Sequence, residues 1–77
     1  MHELALAQGV LDIVLEVAHD EPVRLVRVRV GELQRVVPES LQFCFQMVAQ
    51  DSPAAQAELV IDEVPGHDVR VTAVETL

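Results

Sequence analysis

The first twenty residues contain no proline and a single glycine, Gly9, and read as a helix that is apolar over most of its circumference. One row runs through Leu4, Ala7, Leu11, Val14 and Ala18, and a second through Leu6, Val10, Ile13 and Val17. Polar residues are left a narrow stripe of Gln8, Asp12, Glu16 and His19 or Asp20. Such a helix requires cover on more than one side. In a chain of 77 residues a small sheet supplies one side, and a second helix or another chain the other.

The remaining segments provide these parts. Glu21-Pro22 stops the first helix, because the residue before proline avoids the helical region. Residues 23–30 then alternate, with Val26, Val28 and Val30 on one face and Arg27 and Arg29 on the other, a half-buried strand ended by Gly31. Residues 32–37 read as a connecting loop. Pro38 suits the first position of a second helix running to about Gln50, with Glu39 well placed for its dipole. Its inward row is Leu41, Cys44, Phe45 and Val48, and Gln42, Gln46 and Gln50 point outward. Residues 57–64 and 69–75 form two further strands joined through Pro65-Gly66-His67-Asp68. The expectation is one α/β (α+β two-layer) domain over residues 1–77, of order α-β-α-β-β. It has a three-stranded sheet and two helices.

Charge and composition exclude several functions. Thirteen acids face five arginines and no lysine, a net charge of -8. Neither nucleic acid nor an anionic membrane surface suits such a chain, since both demand basic patches. With two Phe and no Tyr or Trp, there is no aromatic platform for bases. One Cys excludes an internal disulfide and a four-Cys zinc site within the chain, and fits a reducing compartment. No apolar run reaches membrane-spanning length and no export leader is visible, so a soluble, cytoplasmic location is expected. There is no phosphate loop, CxxC pair, HExxH or nucleophile elbow, so catalysis is not expected.

The chemistry sits in the first three residues, Met1-His2-Glu3. A free amino terminus, the His2 amide and the His2 imidazole can reach one metal ion through fused chelate rings. Ni(II) and Cu(II) are the ions that displace an amide proton and accept square-planar nitrogen. The Glu3 amide supplies a further donor. The large His2 should protect Met1 from removal. An early histidine is nevertheless common, and any free terminus of this kind binds some copper.

Met-His-Glu-Leu-Ala-Leu-Ala at the start resembles the opening of the hydrogenase nickel-incorporation proteins, the HypA/HybF family. Val26-Arg27-Val28-Arg29-Val30-Gly31-Glu32-Leu33 is similar to the family's first strand and its Gly-Glu-Leu ending. Pro38-Glu39-Ser40-Leu41 with Phe43 and Phe45 resembles its second helix. Ala57-Glu58-Leu59 through Glu63-Val64-Pro65-Gly66 and the tail from Val69 to Glu75 resemble its remaining strands. The resemblance covers essentially the whole chain, in order. It implies a nickel metallochaperone domain that binds Ni(II) at Met1, His2 and Glu3 and delivers it for [NiFe]-hydrogenase maturation. The implied partners are a nickel-handling maturation GTPase and the hydrogenase large-subunit precursor.

One departure is plain. The family carries a zinc module of paired CxxC motifs between its last two strands, whereas here Pro65-Gly66 runs straight into His67-Asp68. The module is therefore read as absent at the 64–68 junction, and no zinc is expected. His67, at that junction, is a candidate substitute for a nickel-ligating histidine of the module, against the simpler reading of an exposed turn residue. Cys44 reads as a buried structural thiol. Two rival readings are an interaction module that docks the GTPase without loading nickel, and a structural dimerisation domain. A tight hairpin at Pro65-Gly66 would be strained, and homodimers formed by swapping the last strand are expected from it.

Overall fold

The computed structural model of the chain describes residues 2–77. Its elements are α1 (His2–Ala18), β1 (Val23–Gly31), a 3-10 turn (Glu32–Gln34), α2 (Pro38–Val48), β2 (Glu58–Val64) and β3 (Val69–Thr76). The expected order of two helices and three strands is what the chain adopts. Helix α1 ends earlier than expected, at Ala18. His19 and Asp20 take positive φ of 52° and 62° and turn the chain toward Pro22. Helix α2 likewise stops at Val48, and Asp51, with φ of 62°, makes the corresponding turn. The segment read as a loop includes the short 3-10 turn.

Alternation in β1 sets the two faces. Val26, Val28 and Val30 are buried toward the helices, and Arg27 and Arg29 are exposed on the opposite side. Leu59 and Ile61 of β2 and Val71 and Val74 of β3 stand in register with Val26 and Val28 and extend the apolar face across all three strands. Onto it pack Ala7, Val10, Leu11 and Val14 of α1 and Leu41 and Phe45 of α2. The first apolar row of α1 is therefore the core row, although Leu4 at its start is exposed. The second row divides: Val10 is buried, but Ile13 and Val17 are 48% and 56% exposed. α2 lies beside α1 and β3 beneath it, so one flank of α1 stays open. Cys44 and Gln42 are both half-buried, the Gln42 amide donating to the Leu59 carbonyl of β2 at 3.0 Å. No helix among the described residues is long and apolar enough to cross a membrane.

The strand order is β2-β1-β3, with β1 central, β2 parallel to it and β3 antiparallel. This corrects the hairpin expectation. α2 is the crossover that a parallel β1–β2 pair requires, and it carries β2 to one edge. β3 takes the other edge, so β2 and β3 are not neighbours. Residues 65–68 span two strand spacings, about 10 Å, within the roughly 16 Å that such a segment can reach. No tight two-residue turn is needed, and the strain invoked for strand swapping has no source here. Gly66, with φ of 103°, bends the connection where only glycine fits without cost.

The connection passes directly over the end of β1. The Gly31 amide donates to the Asp68 carbonyl at 2.7 Å, and the Leu33 amide to the Gly66 carbonyl at 2.9 Å. A Cβ on Gly31 would lie 2.7 Å from the His67 amide nitrogen and closer still to the Gly66 carbonyl. These are backbone atoms and cannot rotate aside. Gly31→Ala should therefore cost about 1–3 kcal/mol by overpacking. Gly66→Ala, which has open space around it, should cost only the positive φ, about 1–2 kcal/mol. Urea unfolding of both variants measures this, and equal stability of Gly31→Ala and the parent would contradict the crossing contact.

Candidate metal centre

The amino terminus meets the fold at the start of α1. This is also the end of the sheet where β1 finishes, where α2 begins and where residues 65–68 cross. Met1 and the His2 side chain lie outside the described residues; the His2 backbone already belongs to α1. The first four amides of a helix have no intrahelical acceptor. The His2 and Glu3 amides are thus in the part of the helix where loss of a proton sacrifices no helical hydrogen bond.

Glu3 has a second role that its sequence position did not reveal. Its Oε2 accepts the Val37 amide at 3.3 Å, and Val37 is the N-cap of α2. Val37 has no capping side chain, and the third helical position is Ser40, which is too short to reach back. Glu3 supplies from α1 what a glutamate at that third position supplies in a capping box. It also brings negative charge to the positive end of α2. The carboxylate thus ties the starts of the two helices together, while its backbone amide faces the terminus.

The other candidates are dispersed. His67 is exposed on the crossing connection at the same end of the sheet, and its backbone carbonyl accepts a hydrogen bond from the Gln34 side chain. Cys44 lies nearly two turns into α2 and, with Glu3, Glu39, Ser40 and Phe43, lines an open cleft of about 280 Å³. Among the described residues no group of three or more His, Cys, Asp or Glu side chains is placed to hold a metal ion. His19 lies at the opposite end of α1, exposed. Arg27 pairs with Asp62 across the sheet at 3.2 Å, and Arg24 pairs with Glu75. The cleft was not read from the sequence. Its one signal was Phe43, which stands about 200° around the helix from the buried Phe45.

Residues 1–69 match the family model described as hydrogenase/urease nickel incorporation, metallochaperone, hypA. The chain belongs to the HypA family. The hydrogenase maturation factor HypA of Desulfatibacillum aliphaticivorans is 44% identical over 69 residues, covering 84% of this chain and 53% of that protein. The HypA of Streptomyces avermitilis is 44% identical over 71 residues, covering 87% and 54%. That of Dechloromonas aromatica is 41% identical over 80 residues, covering the whole chain and 71% of that protein. The chain thus spans little more than half the length of several HypA relatives. With a single cysteine it contains no CxxC pair.

Because the Glu3 carboxylate acts as a cap, Glu3→Ala should lower stability by no more than about 1 kcal/mol. It should also speed hydrogen exchange at Val37 selectively. Exchange measured residue by residue by NMR tests this, and unchanged protection at Val37 would remove Glu3 from its capping role.

Proposed function

We propose that this chain carries Ni(II) at its amino terminus, as cargo for hydrogenase maturation, and is a carrier rather than an enzyme. The observation that carries the reading is Met1-His2-Glu3 opening α1, in a chain whose residues 1–69 match a nickel-incorporation family. The candidate donors are the Met1 amine, the His2 amide and imidazole, and the Glu3 amide, nitrogens of the kind that square-planar Ni(II) accepts. The His2 amide closes small chelate rings with the other three and can be cis to only two of them, so a plane takes three of the set and a fourth ligand from elsewhere. Two supports come from the fold. The first-turn amides have no helical acceptor to lose, and the Glu3 carboxylate is engaged with Val37, which leaves Glu3 to contribute through its backbone.

Geometry adds a condition. A five-membered chelate ring through consecutive backbone nitrogens is nearly flat, whereas helical residues have ψ of about -42°. Coordination through both amides therefore unwinds the first residues of α1. The partners in this role are the nickel-handling GTPase and the large-subunit precursor. His67 is a second-rank ligand, favoured only by its place at the same end of the sheet. An interaction module that docks the GTPase without loading nickel is the rival reading.

A nickel titration followed by visible absorption separates the two. The carrier reading predicts a weak d–d band that saturates at one equivalent. His2→Ala should lose it, with affinity falling by roughly two orders of magnitude or more. His67→Ala should retain it. An extension ahead of Met1 should abolish it by removing the free amine. Near-normal affinity in His2→Ala would sink the site.

The order of metals is a second check. Cu(II) should bind more tightly than Ni(II), and Zn(II) far more weakly than either. Imidazole and amide protons must leave for the metal to bind, so affinity should rise with pH. Direct competition at fixed pH reads the order. Preference for Zn(II) over Ni(II) would indicate tetrahedral side-chain ligation instead.

A further inference from the structure

The charge of the chain is segregated by layer. The two helices and the turns that follow them hold seven of the thirteen acids and none of the five arginines. Four of the arginines lie on β1 and β3, and both described ion pairs, Arg24–Glu75 and Arg27–Asp62, are on the sheet. The helical layer also carries exposed apolar side chains, chiefly Phe43 at 65% and Met47 at 45%, one turn apart on α2. Phe43 forms a wall of the cleft lined by Glu3, Glu39, Ser40 and Cys44. The cleft is mostly apolar, with carboxylates beside it. Its volume of about 280 Å³ falls just below the roughly 300–1,000 Å³ of small-molecule pockets, which suits one long side chain.

We propose that this cleft anchors a basic, amphipathic segment of a partner protein, with an arginine or lysine stem packed on Phe43 and its charge directed to Glu39. Such a side chain matches both properties of the site: its methylenes cover apolar surface and its head stays near carboxylate and solvent. The cation also gains from the face of the Phe43 ring. A second copy packed helix to helix would set acid against acid, because the helical layer carries no arginine or lysine and the fifth arginine, Arg35, lies on the loop ahead of α2. An anionic membrane or a nucleic acid meets the same repulsion. Glu3 lines the cleft and is also a proposed donor through its backbone amide, but neither Phe43 nor Glu39 is, so variants at those two test docking apart from nickel.

The test uses metal-free, isotope-labelled protein and a helical peptide built of leucine and arginine, with a matched leucine–glutamate peptide as control. Only the arginine peptide should shift the amide resonances of residues 39–47, and raising salt from about 50 to about 300 mM should weaken it several-fold. Phe43→Ala and Glu39→Gln should each weaken binding by about fivefold or more, whereas Ile13→Ala, on the exposed flank of α1, should not. Phe43 is largely exposed, so its loss leaves the core intact. Equal binding of the glutamate peptide, shifts centred on the sheet, or unchanged binding by Phe43→Ala would overturn the proposal. Concentration-dependent shifts of residues 39–47 without peptide would also overturn it, by assigning the cleft to a second copy. Phe43→Ala should bind nickel like the parent, so loss of either property is read separately from the other.

Discussion

Backbone packs against backbone at Gly31, and the arrangement of the functional end follows from that crossing. β1 pairs on both sides and so occupies the centre of the sheet. Any link from β2 to β3 must pass over one of its ends. It passes over the end from which the chain leaves for α2, and the two amide bonds at Gly31 and Leu33 hold it there. A side chain at Gly31 would lift the link and with it Asp68, whose carbonyl receives the Gly31 amide. The starts of both helices lie at this same end, linked by Glu3 and Val37. The start of α1, the connection that carries His67 and the cleft thus share one end of the fold although more than 60 residues separate the first two in sequence.

The core was legible because its signals are local. Alternation in residues 23–30 fixed which valines face inward, and the row Ala7, Leu11, Val14, Ala18 fixed the buried side of α1. The second row misled in part, since apolar spacing states which side chains share a face without stating what covers it. Ile13 and Val17 satisfy the period and remain exposed because α2 and β3 together cover less than the apolar arc. Strand order was illegible for a related reason. Residues 69–75 alternate identically whether they pair with β2 or β1, and a Pro-Gly junction suggests a hairpin by habit. What decides the order is the α2 crossover, which makes β1 and β2 parallel and leaves β1's other edge for β3.

The candidate site divides in the same way. Met1-His2-Glu3 announces its chemistry in sequence, because a terminal amine, an amide and an imidazole are fixed by covalent connectivity and need no fold to meet. The capping role of Glu3 and the cleft beside it need α1 and α2 brought together, and no spacing within either helix encodes that. Glu3 joins the two kinds of information in one residue. Its carboxylate belongs to the tertiary structure, and its amide to the proposed terminal chelate.

That division bears on how a carrier can release its cargo. A site buried among converging side chains holds metal through the stability of the whole fold, and release then requires the fold to open. A chelate formed by the first residues of α1 competes only with the first helical turn, the part of a helix with the fewest bonds to lose. Metal binding can therefore unwind His2 and its neighbour without disturbing Ala7, Val10 or Val14 in the core. In the proposed carrier role, the Glu3–Val37 contact would set where this unwinding stops. It fixes the third residue to α2 through a side chain, so the backbone ahead of it can change shape while the helix behind it keeps its register. In that proposed role, a terminal chelate tethered in this way stays open to a partner seated on the acidic helical layer.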